Sequence, residues 1–350
     1  MNKLLLTLLC SGLWMGLLPA QDLAYTRTAN AAPIESGAIP LKHKTLRSWK
    51  LVLPQEQLTL VGTGFHFQNT LGQFFGAKPE GTSLRIDVDG DGKMDVTVEN
   101  EGALITLEGK NQAAYALRVV PSPKGWAFRP AHVRQGKIGK TKIQLIDQNN
   151  NGRFNDFGED AMVIGRGRFA SFLSKVVNID GALFKLSVAK DGSEMRTKAF
   201  EGAQGILDVA SGHQSKAKLL GAVVKSSDGR YSFELSRAKE GLKVPAGPYK
   251  LINGQLGIGK NVVKFRSGKS KSILVAADQK TPIGWGGPVK ANFDYARESS
   301  KVTLSPDRVW YWGDLGEEYY DWSPLGKSPK FTILNNKTGK EIALAYFPGS

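Results

Sequence analysis

Cysteine is almost missing. Cys10 is the single cysteine in 350 residues, and it sits inside the apolar run that opens the chain. Beyond that run no disulfide and no thiolate metal site can form. Histidine is scarce as well: His43, His66, His132 and His213 stand far apart, and none belongs to an H-E-x-x-H or H-x-H zinc pattern. No G-x-S-x-G nucleophile elbow is present. In "GKIGKT" (136–141) the glycines are too close for a phosphate loop, and "VGTGFHF" (61–67) is too strand-like for a dinucleotide fingerprint. These absences lean against an enzyme. A hydrolase with dispersed carboxylates leaves no local signature, so it stays open as an alternative. After the first twenty residues no apolar stretch approaches the ~20 residues of a spanning helix.

What is present begins with "MNKLLLTLLCSGLWMGLLPA": a cation at Lys3, an apolar run, then a proline and small residues. That order is a secretory signal peptide over residues 1–31, with cleavage after Ala20 or after Ala31 in "ANA". Two leucines precede Cys10, which argues against lipidation. The expected location is secreted, periplasmic or cell-surface. The formal net charge is +15; Lys3, Arg27 and Asp22 account for +1 of it, leaving +14 for residues 32–350. Such a charge favours an anionic polysaccharide or another cell-surface component as partner. The basic stretches "RQGKIGKTK" (134–142) and "KFRSGKSKS" (264–272) lack interleaved aromatics, so nucleic acid is not expected.

Forty glycines punctuate runs with period-two alternation, as in "QLTLVGTGFHF" (57–67), "SLRIDV" (83–88), "MDVTVE" (94–99) and "ALITLEG" (103–109). The fold class is therefore mainly β, with several sandwich-like modules. "ASFLSKVV" (170–177) reads equally as helix or strand. "AKLLGAVVKSSDGRYSFELS" (217–236) reads as a hairpin turning at Asp228-Gly229. "DQKTPIGWGGPVKA" (278–291), rich in Gly and Pro, reads as a linker. The expected organisation is a β domain at 33–112, a second at 113–212, a third module at 213–284 and a last at 285–350.

Two acidic stretches carry the chemistry. In "DVDGDGKMD", Asp87, Asp89 and Asp91 stand at positions 1, 3 and 5 of a turn, Gly92 at 6, the Lys93 carbonyl at 7 and Asp95 at 9. Oxygen donors at that spacing suit Ca2+, a hard cation taking 6–8 oxygens. In "DQNNNGRFNDFGED" the corresponding set is Asp147, Asn149, Asn151, the Arg153 carbonyl and Asn155, with Asp160 reaching back to complete the shell. Fewer charges there imply weaker binding. The first loop resembles an EF-hand loop, but position 12 is Val98 and the flanks read as strands, so a static turn is expected rather than a switch. It also resembles the half-loops of dockerins, thrombospondin type 3 repeats and integrin-type propeller blades, in which such a turn serves structure. The second resembles a form found in bacterial secreted β proteins of unknown function.

"VPAGPY" (244–249) resembles the edge of transthyretin-like, carboxypeptidase-regulatory-type modules, which implies a spacer for 213–284. The alternating strands of the last sixty residues resemble an immunoglobulin-like sandwich. Within them "WYWGDLGEEYYDW" places Trp310, Trp312, Tyr319, Tyr320 and Trp322 together, a candidate surface for stacking sugars. The sequence thus points to a non-catalytic envelope or secreted protein braced by calcium, with carbohydrate binding or surface adhesion through those aromatics as the alternative.

Overall fold

The computed structural model describes residues 37–110, 113–238, 241–299, 301–323 and 330–346. Residues 1–31, the expected signal peptide, and Cys10 within them lie outside the described residues. The described residues are mainly β: thirty strands and one short helix, Gln68–Leu71. The undecided segment 170–177 is strand at Ser171–Phe172 and again from Val176 onward.

One hydrophobic core draws on residues from Leu41 to Met195 and includes Phe65, Phe67, Phe75, Tyr115 and Phe154. Three sheets supply most of it. A four-stranded sheet contains the pair Ser83–Ile86 and Val96–Val98, whose inward residues Leu84, Ile86 and Val98 are buried. A second is built around the strands Ala103–Glu108, Ala114–Ser122 and Gly125–Pro130. The third, five-stranded and antiparallel, runs in the order Ser171–Phe172, Ala161–Ile164, Thr141–Ile146, His132–Ile138 and Lys42–Thr45.

Alternation gives that third sheet two different faces. Ile138, Ile143, Leu145 and Met162 enter the main core. Val133, Ile146, Ala161 and Val163 face the other way, under Leu46, Trp49, Leu51 and Leu53.

A separate core gathers residues from Leu207 to Tyr319, among them Tyr249, Phe265 and Trp285. The expected hairpin is there: Lys218–Ser226 pairs with Ser232–Glu234, and Gly229 takes the left-handed conformation with φ 75°. The stretch 278–291 is more than a linker. Lys280–Pro282 pairs in parallel with Gln204–Asp208, and Ile283 and Trp285 are buried. Its glycines and prolines are punctuation around an apolar anchor. The strands Lys290–Glu298, Lys301–Trp312 and Glu318–Ser323 continue the sheet that contains Lys218–Ser226 and Gly247–Ile258. Lys330–Leu334 and Glu341–Tyr346 form a two-stranded ladder.

Candidate metal centres

The first acidic loop closes a hairpin. The chain leaves the sheet at Asp87 and rejoins it where the Asp95 N–H donates to the Ile86 carbonyl (2.9 Å). Between those points the side chains organise the backbone. Asp87 Oδ1 accepts from the Gly90 N–H (2.7 Å) and Oδ2 from the Gly92 N–H (2.9 Å). Asp89 accepts from Asp91 N–H (3.1 Å), and Asp91 from Lys93 N–H (2.7 Å). Gly90 and Gly92 have φ of 76° and 88°, in the region that favours glycine. The bare Gly90 also lets Gln73 approach and donate to the Asp89 carbonyl (2.6 Å). One oxygen from each of Asp87, Asp89, Asp91 and Asp95 lies within 4.8 Å of the others. Asp87 is buried and the other three are exposed. The Lys93 ammonium, on the solvent side, pairs with Asp91 at 2.9 Å and holds that carboxyl below its usual range.

The second loop joins Thr141–Ile146 to Ala161–Ile164 and repeats three of the four bonds, its other position-1 oxygen accepting from position 5 instead of position 4. Asp147 Oδ2 accepts from Gly152 N–H (2.6 Å) and Oδ1 from Asn151 N–H (3.2 Å). Asn149 accepts from Asn151 N–H (3.3 Å), and Asn151 from Arg153 N–H (2.8 Å). Gly152 is left-handed (φ 74°), and Asn150 (φ 60°) replaces Gly90. Asparagine tolerates that conformation, and here its amide also donates to the Gln57 carbonyl (3.1 Å) and Thr59 Oγ1 (2.9 Å).

The surroundings differ. Asp147 and Asp160 are buried, at 0% and 1% exposure. The Tyr115 hydroxyl donates to Asp147 Oδ2 (2.6 Å), and the Asp156 N–H donates to Asp160 Oδ2 (3.0 Å). Asp160 Oδ1 is buried without a hydrogen-bond partner. Burial pushes the Asp147 carboxyl up to about 6. Burial and the neighbouring Asp147 charge raise Asp160 well above the carboxylate range. Asp156 is the acid that touches the middle of the turn, its Oδ2 accepting from Asn151 (2.5 Å) and Asn149 (3.5 Å). The structure thus brings Asp156 against positions 3 and 5, while Asn155 stands at position 9.

No protein family matches the chain, and no curated protein or solved structure is similar to it. The chemistry of the site therefore rests on its own residues.

Behind the second loop lies an aromatic stack. Phe67 stacks on Tyr115 (4.0 Å between centroids), Tyr115 meets His132 edge-on (4.2 Å), and His132 stacks on His43 (4.7 Å). His132 Nδ1 faces the Ala116 carbonyl at 3.1 Å, so that nitrogen carries the proton. Burial holds His132 neutral, and burial with the Arg134 charge lowers His43 to about 4.

The aromatic run is divided between two settings. Tyr319 is buried in the Leu207–Tyr319 core and donates to Glu317 Oε1 (2.9 Å). Trp310 and Trp312 are half-buried, while Tyr320 and Trp322 are exposed at 37% and 41%. A bulge at Asp321 (φ 50°) shifts the register between Tyr320 and Trp322, and Trp322 meets Tyr311 edge-on at 6.0 Å. The five aromatics therefore present no continuous platform. Two cavities, of about 400 Å3 beside Phe169 and Asn253 and about 840 Å3 beside Phe200 and Tyr231, contain one carboxylate each, Glu56 and Asp228. Asp228 is already paired with Arg230 at 2.6 Å.

Proposed function

We propose that this is a non-catalytic secreted or envelope protein in which each acidic turn holds a calcium ion as a structural brace. The observation that carries this reading is the unpartnered Asp160 Oδ1, buried in the neighbourhood of the Asp147 carboxylate. Two buried acids, one with an unsatisfied oxygen, are costly unless a cation compensates them. The donor set fits a hard cation: oxygens only, from carboxylates, amides and backbone carbonyls.

At the first turn the ligands are Asp87, Asp89, Asp91, the Lys93 carbonyl and Asp95. At the second they are Asp147, Asn149, Asn151, the Arg153 carbonyl, Asn155 and Asp160, with Asp156 beside them. Both turns join paired strands, so an ion at either fixes a connection and need not transmit a conformational change.

Calcium at a hundredfold excess over its dissociation constant would stabilise the folded chain by about 2.7 kcal/mol per site. Calorimetric titration of the metal-free chain is expected to give two ions per molecule, and Asp89→Ala one. Identical melting in calcium and in excess chelator would overturn the reading.

A further inference from the structure

We infer that the solvent half of the five-stranded sheet's outer face is a docking surface for a linear anionic polysaccharide. The strand register puts Lys42 opposite Gln135, Lys44 opposite Val133, and Lys137 opposite Lys142, so all four lysines share the face that carries Val133 and Ile146. Arg166 follows the neighbouring strand Ala161–Ile164. Arg237 lies over the bare backbone of Gly165 and Gly167, where a Cβ at Gly165 would come within 2.6 Å of its guanidinium. Gly165 itself adjoins Lys142 through its N–H bond to the Lys142 carbonyl (2.6 Å). These two glycines thus bring a cation from a distant strand connection onto the face.

No acidic residue occupies a register position on this face. None of the six cations joins any ion pair among the described residues. Lys142 feels Lys44, Arg166 and Arg237 as its charged neighbours, and its ammonium is pushed below its ordinary range first by burial and then by those cations. Glu234, off the face, is the acid that feels the Arg237 charge; on the face itself the cations have no carboxylate partner.

The occupant follows from the shape and from what accompanies the charge. Strands stand roughly 5 Å apart and alternate side chains roughly 7 Å apart, so the charges recur along a flat surface. That suits a polymer bearing a carboxylate or sulfate on successive sugars better than one compact anion. A membrane surface would call for apolar anchors beside the cations, but the apolar residues of this face lie buried under the 46–53 segment. Single-stranded nucleic acid would call for aromatic stacking partners, and none stands among the six. This inference is independent of the calcium reading.

The test compares Lys44→Gln/Lys142→Gln/Arg237→Gln with an equally charged control, Lys260→Gln/Lys290→Gln/Lys337→Gln. Affinity for a heparin oligosaccharide, a sulfated linear glycan, is measured by fluorescence anisotropy at about 0.1 M salt, where charges farther apart than about 10 Å are screened. The face variant should bind about tenfold more weakly and the control less than about threefold, with melting of both unchanged. Should the triple variant unfold, Arg237→Gln alone, at an exposed side chain, should weaken binding about threefold. Equal weakening by the two triple variants would overturn the proposal. So would wild-type protein that ignores the glycan, or that prefers phosphatidylglycerol vesicles or a single-stranded oligonucleotide to it.

Discussion

The two acidic turns have one backbone and two settings. In both, the first side chain accepts from the N–H of the glycine five residues on, and positions 3 and 5 each accept from the N–H two residues on. Both use left-handed residues at positions 4 and 6. Yet the first presents three exposed carboxylates to water, while the second has two buried ones with Tyr115 and Phe67 behind it. Backbone geometry is therefore independent of how many charges the turn carries, because an amide oxygen accepts an N–H as a carboxylate does. What changes is the source of any affinity for a cation: charge count in the first turn, burial and prior ordering in the second.

The comparison breaks most readily at position 1. Asp147→Ala strands the Tyr115 hydroxyl and two backbone N–H groups in a dry setting and should cost about 3–5 kcal/mol in urea unfolding. Asp87→Ala removes a carboxylate that is also buried but carries no tyrosine hydroxyl and sits beside exposed acids, and it should cost about 1–2 kcal/mol. Equal losses would mean that the Tyr115 bond and the dry surroundings are not the difference. Glycine at position 6 offers a gentler probe. Gly92→Ala meets open space and suffers only its left-handed φ, about 1–2 kcal/mol, whereas Gly152→Ala also meets Phe67 at 3.0 Å and should lose about 1 kcal/mol more by the same measurement.

Asn151→Asp adds the missing charge beside Asp156. It should destabilise the chelated protein by about 1 kcal/mol, and in calcium it should tighten the second site about tenfold by calorimetry. The smallest effect is in pH. His43 titrates near 4 in the fold against 6.5 when free, so the unfolded chain binds more protons between those values. The His43 contribution to stability should be level above about 6.5 and be lost as pH drops toward 4, opposing the raised Asp147 and Asp160 carboxyls, whose contribution is lost as pH rises; thermal melts of His43→Gln against wild type should show that difference between pH 6.5 and 4.

How much of this was legible in the sequence follows from the range of each contact. The turns are local, so spacing alone located both loops, and alternation located most strands. Tyr115 sits thirty-two residues before Asp147 and Thr59 ninety-one before Asn150, distances that no pattern joins. Asp156 reaches Asn149 and Asn151 because the chain after Gly152 curls back on itself, with the Asp160 N–H bonded to the Asp156 carbonyl (2.9 Å). Within the aromatic run the Asp321 bulge breaks the strand parity between Tyr320 and Trp322, which no residue pattern announces. The basic face was invisible because its cations come from 42–44, 137–142, 166 and 237. In the linear chain they looked scattered.

The strand Thr141–Ile146 has one further property. Lys142 stands near one end, on the outer face, and Asp147 follows the other end directly. About 20 Å of chain separates the strand's ends, clamped on both sides by antiparallel ladders. A tether gripping the cation end would load that strand in shear, and the tension would pass into the turn beginning at Asp147. An ion seated there would serve as a rivet in a mechanical line between the tether and the body of the fold.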